Sequence, residues 1–589
     1  MNSRKFVNPP AEFRLVPFWF WNGAMEEGEI LRQIREMHEK GVGGFCLAAR
    51  PGLRLPYLSQ VWFDRVQLAV ETAASLGLQV WLHDEFPFPG GMSSERVAPG
   101  HPDHRAKYLI FEETTVQGGQ QVDILLPWAT VLRAIAIPLR RDRSLWDEAL
   151  DIRTHIGSHH RQEVFRESNK TDGYHGKQYF TQDAVHRLFW KAPAGRWRVL
   201  VFLQKDFETP QFSGTHFDAF NREAVDCFLE TTFRPYAESI GKHFGRTVPT
   251  VLTTETVERE DRLLWSPLLP QIFRERNGYD LLDSLPGLIT GFGQNTARIR
   301  YDYFQTLSEL IRDNYHGACQ DWADQHKVNY ASAVPVLRNA HQTRIHLPGS
   351  SGGREKIGAL EIKGSNGSAS VYRWNPKFSA SLAHQTKLQR VFNTSYQGTG
   401  WSLTLQDMKW IADRLASQGC NLFTAYGFSY TLDGLRKHDT PPSQFHQNPY
   451  WKHFRLFADY VGRLSFILSQ GQHVADIALL DPVTSLWTHL CHPDLGWQYV
   501  GSDPDEKKLA TRLAGDWTYL MDSLSRMQRN YDCLDPEILG NARVSGGRLK
   551  VGSASYEALV IPPIANLEPK AFELIRQFYN AGGKVICLG

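Results

Sequence analysis

The sequence has little cysteine and no long apolar run. Its 589 residues include only 7 cysteines, scattered singly with no CxxC or Cys/His spacing, which argues against a zinc site or a disulfide framework. No run reaches the ~18 apolar residues that a membrane-spanning helix needs. The opening segment, MNSRKFVNPPAEFRL, lacks the apolar stretch of a signal peptide, so we expect a cytoplasmic protein with no membrane partner.

A strong charge of either sign is also lacking. The 65 Lys and Arg nearly balance the 63 Asp and Glu, giving a net charge of +2, and no window holds a dense basic block. This balance argues against a nucleic-acid partner. Apolar and aromatic residues are plentiful, at 42% and 12% with 17 tryptophans. They can fill the cores of about two to four domains, and such richness in aromatic rings is common where proteins face carbohydrate.

The first ninety residues alternate between apolar strand-like runs and amphipathic helices. The runs lie at 15–21, 43–50 and 78–85, and the helices at 26–39 and 60–76. Strands that alternate with helices pair in parallel. Residues at the carboxyl ends of such strands line the ligand crevice.

Counting further units along the chain predicts an α/β fold of the (β/α)8 TIM-barrel type. A capping box, Thr404-x-x-Asp407, opens one of the later helices. The barrel is expected to comprise residues 1–101 and 210–471, with later strands at 248–254, 328–334, 357–362, 391–396 and 421–426.

Two further domains are predicted outside the barrel. Residues 102–209 show short strand-like runs, which predict an inserted β-rich domain with an irregular loop at 153–179. Residues 472–589 return to alternating strands and helices, which predicts a small doubly wound α/β domain. The chain ends directly after a strand, so we expect a fragment of a longer protein.

Acidic residues follow two of the predicted barrel strands. Glu255 ends the fourth strand, and Asp84 and Glu85 end the third. Cleavage of a glycosidic bond needs a general acid and a second carboxylate about 5–9.5 Å away. These three residues are therefore the candidate catalytic groups. The alternative is that each is a helix-terminal acid or a surface salt-bridge partner.

Aromatic and cationic side chains at strand ends and in the following loops form the candidate sugar-binding set. Rings can stack on a sugar, and cations can hydrogen-bond its hydroxyl groups. The alternative, for the loop after the eighth strand, is a solvated turn region punctuated by proline. The predicted substrate-binding residues are Trp21, Arg50, Trp81, Trp401, Tyr426, Arg436 and His438.

Several long motifs resemble bacterial glycoside hydrolases related to α-L-rhamnosidases. They include FVNPPAEFRLVPFWFWNG, EILRQIREMHEKGVGGF, GLQVWLHDEFPFPGG, GLRKHDTPPSQFHQNPYW and LSQGQHVADIALLDPVTSLW. The resemblance implies a carbohydrate substrate, a barrel with an inserted β-sandwich, and a glutamine-amidotransferase-like domain at 472–589. It also implies calcium-assisted inverting hydrolysis, although no contiguous calcium loop is visible.

The chain departs from the family pattern at three strand ends. Thr254 replaces an Asp before Glu255, Ser332-Ala333 replaces a Gly-His pair, and Thr394 replaces a Glu on the seventh strand. A threonine cannot act as a general base, so the second carboxylate must come from elsewhere, the candidates being Glu85, Asp84, Glu258 and Glu361. Two hypotheses follow: an active glycoside hydrolase, or a carbohydrate-binding member without catalytic activity.

Overall fold

The computed structural model describes most of the chain. The described residues are 3–84, 86, 97–98, 100–167, 177–207, 216–253, 263–333, 337–353, 376–492, 498–501 and 503–589. Glu85 and Glu255 lie outside these ranges, as do Thr254, Glu258 and Glu361.

Eight parallel strands close into a barrel, as predicted. Each strand pairs with its neighbours in chain order, and the first pairs with the eighth to complete the ring. The strands are β1 (Phe18–Trp21), β2 (Gly44–Ala49), β3 (Gln79–His83), β4 (Thr250–Thr253), β5 (Asn329–Ser332), β6 (Leu347–Ser351), β7 (Phe392–Ser395) and β8 (Leu422–Ser429).

The helices between the strands form the outer layer. Ser59 caps α2 by accepting from the Trp62 backbone N–H, and Thr404 and Asp407 form the predicted capping box of α6. The helices are α1 (Glu27–Glu39), α2 (Gln60–Ser75), α3 (Arg222–Ile240), α4 (Thr296–Leu310, continued by Ile311–His316 and Gly317–Gln325), α5 (Pro376–Thr386), α6 (Leu405–Ser417) and α7 (Phe454–Leu468), with Leu269–Asn277 and Leu281–Ser284 in the loop after β4.

Alternation of side chains along β1 separates two cores. Phe18 and Phe20 point into the barrel interior, whereas Trp19 and Trp21 join the larger core beneath the helices. The interior core also contains Trp81 from β3 and Tyr426 from β8. The phase of each strand therefore decides which of its residues reach the barrel axis.

The sixth barrel strand differs from the predicted one. Residues 357–362 lie outside the described part of the chain, and Leu347–Ser351 (LPGSS) occupies the sixth position. This segment lacks the apolar run that marks a buried strand. Gly349 is needed there because a Cβ would lie 2.1 Å from the Phe392 ring.

The chain between β3 and β4 forms two antiparallel sheets that share a buried core, and one short strand from the loop after β4 joins one of them. The prediction of an irregular loop at 153–179 is wrong for most of that range, because Ile156–Glu167 pairs with Lys177–Lys191 in a long hairpin. One sheet contains Gln121–Pro127, Lys177–Lys191 and Ile156–Glu167; the other contains Leu263–Trp265, Lys107–Gln117, Arg196–Asp206, Thr130–Arg140, Arg143–Ser144 and Leu150–Asp151.

The C-terminal part of the chain contains a four-stranded parallel sheet. Its strands are β9 (Ile477–Leu480), β10 (Tyr531–Leu534), β11 (Ala558–Ile561) and β12 (Lys584–Cys587), in the order β10-β9-β11-β12. The helices are α8 (Val483–Thr488), α9 (Pro504–Arg526), α10 (Pro536–Leu539) and α11 (Pro569–Asn580), and a small meander spans Arg543–Ser545, Arg548–Val551 and Ala554–Tyr556.

This sheet packs against one side of the barrel. Gln385 in α5 donates to the Cys533 carbonyl oxygen, and the Ala340 N–H donates to the Asp535 carboxylate. We call this contact the seam; it joins α5 and residues 337–344 to β10, Asp535 and Glu568. Within the described ranges, no helix has both the length and the apolar character needed to cross a membrane.

Candidate active site

The carboxyl ends of β1–β8 form the barrel mouth, where barrel enzymes carry their chemistry. Arg50 directly follows β2 and Asp439 lies in the loop after β8. The Arg50 Nη2 and Nε donate to the two oxygens of Asp439 at 2.6 and 3.1 Å, and Nη1 donates to the Tyr426 hydroxyl at 3.0 Å. This forked contact holds the loop after β8 against the end of β2.

The Arg50 guanidinium lies over two aromatic rings. Its central carbon lies 5.2 Å from the Phe20 ring centre and 5.8 Å from that of Tyr426. Cations over aromatic faces gain electrostatic stabilisation. The mouth thus presents fixed hydrogen-bonding groups beside aromatic surface, which suits a ligand with several hydroxyl groups.

The two residues at the end of β3 point to opposite sides. His83 packs edge-on against Phe18 with ring centres 5.2 Å apart, so it faces the barrel interior. Asp84 is fully buried on the helix side. Burial raises the pKa of Tyr315 and Tyr330 there, and the negative charge of Asp84 adds to both increases.

The position of Asp84 bears on its predicted catalytic role. Alternation along β3 places its carboxylate on the helix side, near Tyr315 and Tyr330, and its catalytic role stays a prediction. Glu85 and Glu255 lie outside the described residues. Their catalytic roles therefore stay predictions.

A pair of hydroxyl groups occupies the β7 position at which the family resemblance implies a carboxylate. Thr394 is buried, and its Oγ1 lies 3.0 Å from Oγ1 of Thr424 on β8. Neither hydroxyl is a base at neutral pH. These two residues can orient a ligand or each other, but neither can act as a general base.

The predicted tryptophans occupy three different environments. Trp21 is fully buried beneath the helices, with its ring centre 5.0 Å from that of Trp62, so it does not line the mouth. Trp81 is buried in the barrel interior against Phe392. Trp401, in the loop after β7, is 45% exposed and can contact a ligand from solvent.

Arg436 and His438 lie in a short helical turn, Gly434–His438, beside the mouth. Arg436 donates to the carbonyl oxygens of Asn22 and Gly52, which ties the loop after β8 to the ends of β1 and β2. His438 is exposed. Arg436 thus has a structural role in shaping the mouth, whereas His438 is free to meet a ligand.

Sequence reasoning missed the roles of His83, Phe20 and Asp439 at the mouth. Asp439 was visible only as one polar residue in a crowded loop. Strand alternation places Phe20 and His83 on the face opposite to the predicted residues Trp21 and Asp84, but does not show which face is the inner one. The missing information was the phase of the strand relative to the barrel axis.

The family resemblance implies a bound calcium ion. Calcium takes six to eight oxygen ligands, several of them carboxylates. Among the described mouth residues, Asp439 is held in a forked pair with Arg50 and Asp84 faces away from the axis. These described residues do not form a calcium site.

Comparisons with known proteins agree with this architecture. A "Putative beta-glucuronidase" from Formosa agariphila is 22% identical over 99% of this chain, and the chain spans about half (49%) of that relative's length. A rhamnosidase structure from Novosphingobium sp. PP1Y has a TM-score of 0.64 at 17% identity, covering 100% of this chain and 69% of that one. A beta-galactosidase structure from Marinomonas ef1 has a TM-score of 0.54 at 12% identity, covering 98% of this chain and 75% of that one.

These solved structures share the fold of the chain. The family comparison is more specific, because residues 180–501 match the profile described as alpha-L-rhamnosidase, glycoside hydrolase family 106. The matched segment is more than half of the chain and includes β4 through β8. The chain therefore belongs to the alpha-L-rhamnosidase family of glycoside hydrolases.

Proposed function

We propose that this protein hydrolyses glycosidic bonds of α-L-rhamnosides. The observation that carries the proposal is the family match over residues 180–501, which contains five of the eight barrel strands and the loop with Asp439. The mouth geometry supports it, because Arg50 and Tyr426 hold polar atoms beside aromatic surface.

Two carboxyl groups carry the proposed reaction. Glu255 donates a proton to the glycosidic oxygen as the bond to the anomeric carbon breaks. Glu85 accepts a proton from the water that attacks that carbon from the opposite face, which inverts its configuration. Thr394 stands where the family resemblance implies a carboxylate, so the proposed base comes from the end of β3 instead.

The other mouth residues bind the sugar in this proposal. Arg50, held by Asp439 and the Tyr426 hydroxyl, hydrogen-bonds sugar hydroxyl groups, and the exposed ring of Trp401 covers one face of the sugar. Because these hydrogen-bond donors are already held in place, little rearrangement is needed when the substrate binds.

Hydrolysis of a panel of aryl glycosides tests the proposal. The panel contains α-L-rhamnoside, β-D-glucuronide and β-D-galactoside, since relatives or fold neighbours carry each of these names. We expect cleavage of the rhamnoside, and a fall in kcat of about 10²–10⁴-fold in both Glu255→Gln and Glu85→Gln. NMR of the first-formed sugar should show the inverted anomer.

Glu39→Gln is the matched control, because Glu39 is an exposed acid at the end of α1, away from the mouth. Its activity should equal that of the wild type. Sugar binding without hydrolysis of any panel member would contradict the proposal. Cleavage that Glu255→Gln leaves unchanged would contradict the assignment of the general acid.

A further inference from the structure

Three side chains that can ligate a metal ion meet at the seam. His384 lies near the end of α5, His473 in the segment between α7 and β9, and Asp532 in β10. They come from distant parts of the chain. No local sequence motif therefore indicates them. The lack of a Cys/His spacing argues only against a site built from neighbouring residues.

The ligand atoms lie at distances that suit one small ion. His384 Nδ1 is 3.0 Å from Asp532 Oδ1, and His473 Nε2 is 4.0 Å from the same oxygen. All three atoms lie within 4.8 Å of one another. A tetrahedral ion with bonds of about 2.0–2.1 Å keeps its ligand atoms about 3.4 Å apart. Small side-chain movements would bring the three atoms to that spacing.

We propose that His384, His473 and Asp532 form a divalent-metal site of the zinc type that ties the barrel to the C-terminal sheet. Two imidazole nitrogens and one carboxylate oxygen are a common zinc donor set, with water completing the tetrahedron. Calcium and magnesium prefer oxygen ligands, so two imidazole nitrogens favour a zinc-type ion over the calcium that the family resemblance implies.

Hydrogen bonds behind the ligands orient them toward one another. The Tyr556 hydroxyl donates to Asp532 Oδ2 at 3.0 Å, which leaves Oδ1 facing the histidines, and Gln385 Nε2 donates to that hydroxyl oxygen. Such supporting contacts fix the direction of metal ligands and raise affinity.

The contact between Asn530 and His473 indicates the tautomer. Asn530 Oδ1 accepts from Lys377 Nζ at 3.3 Å, so its Nδ2 group is the donor toward His473 Nε2, 3.2 Å away. This hydrogen bond uses the single lone pair of Nε2, so an ion that binds there must displace Asn530 Nδ2, which keeps its second contact, the hydrogen bond to the Val474 carbonyl oxygen.

The site is open to solvent on the histidine side. The side chains of His384 and His473 are 16% and 27% exposed, whereas Asp532 is fully buried. An ion and its water can enter from that side. The two rings stack 3.7 Å apart, so His473 must tilt to direct Nε2 at the ion. Buried Lys377 lies nearby and its charge opposes a cation, so we expect weaker binding than at a four-ligand structural zinc site.

Titration of the metal-free 589-residue chain with zinc chloride tests the site. Calorimetry should show one equivalent of bound zinc, and zinc should raise the thermal midpoint because it binds only the folded seam. Cobalt(II) in place of zinc should give the visible absorption of a tetrahedral site. His473→Gln and Asp532→Asn should each weaken zinc binding by at least about ten-fold.

His155→Gln is the matched control, since His155 is an exposed histidine in the inserted sheets, outside the cluster. It should bind zinc as the wild type does. His473→Gln removes a partly exposed ligand, so its fold can be verified by circular dichroism in chelator even if Asp532→Asn is unstable. Equal zinc binding by wild type and His473→Gln, or no zinc binding by the wild type, would overturn the proposal.

Discussion

Two arginine–carboxylate pairs, one at the mouth and one in the seam, show how burial changes the role of the same chemistry. Arg50 and Asp439 at the mouth have side chains that are 11% and 24% exposed. Arg338 and Asp535 in the seam are both fully buried. Water and substrate hydroxyl groups can compete with the mouth pair, whereas nothing can replace the partners of the seam pair.

The surroundings of the seam pair reinforce this difference. Arg338 also donates to Gln305 at 2.8 Å and to Glu568 at 3.2 Å, and its guanidinium lies over the Trp487 ring. Asp535 accepts in addition from the backbone N–H of Ala340. The seam pair therefore couples the two parts of the chain, and the mouth pair shapes a binding surface.

Replacing Arg338 with alanine should give the largest loss of stability. The substitution leaves Asp535 buried without its cation, and breaking a buried pair in this way costs about 3–5 kcal/mol. Urea denaturation followed by tryptophan fluorescence measures the free energy of unfolding. Arg526→Ala is the control, because its partner Asp522 is on the same helix and the pair is exposed.

The control should change stability by no more than about 0.5 kcal/mol. An Arg338→Ala protein as stable as Arg526→Ala would remove the distinction between the two regions. The double variant Arg338→Met with Asp535→Leu removes both charges. If it unfolds with the same free energy as the wild type, the pair contributes little net stability, and the loss in Arg338→Ala comes from the unpaired Asp535 charge.

The barrel and its helix ends could be predicted because the signals are local. Ser59 and Thr404 cap helices as expected from residues within three positions of them. The strand LPGSS gave no such signal, since Gly349 serves a close approach to Phe392 rather than apolar packing. A strand that is defined by its neighbours cannot be recognised from its own composition.

The mouth was predictable in part and the seam hardly at all. Strand order places Arg50 and Tyr426 at the mouth, but the outward direction of Asp84 depends on the phase of β3, which the sequence does not show. The contact of Arg338 with Asp535 joins residues 197 positions apart. No periodicity or motif connects them, so only the packed structure reveals the pair.

Asp218 is a buried carboxylate that has no arginine partner among the described residues, so its effect on stability should depend on pH. Burial raises the pKa of Asp218 to about 6 from 3.8, although Ser266 and the Phe220 N–H donate to it and the charge of Lys107 lowers it. The folded state therefore holds its proton more tightly than the unfolded state. Stability from this group is complete below about pH 3.8 and falls by about 3 kcal/mol as pH rises through 6.

Asp218→Asn keeps the shape but cannot ionise. The unfolding free energy of the variant relative to wild type should therefore increase between pH 4 and pH 7, as measured by urea denaturation at one-unit steps. Ser284→Ala, a partly comparable buried polar change in the helix after β4, should show no such trend because serine does not titrate. A constant difference across this range would contradict the assigned cause.

Replacing Arg50 with alanine should have the smallest effect on stability but a clear effect on catalysis. The pair with Asp439 is partly exposed, so its loss should cost less than about 1 kcal/mol of unfolding free energy. If Arg50 binds sugar hydroxyl groups, kcat/KM for the cleaved glycoside should fall about ten-fold, which corresponds to about 1.4 kcal/mol. Arg32→Ala, which removes two partly exposed ion pairs on α1, should leave kcat/KM unchanged. A stability loss like that of Arg338→Ala, with catalysis intact, would mean that the mouth pair acts as a second seam rather than as part of a binding surface.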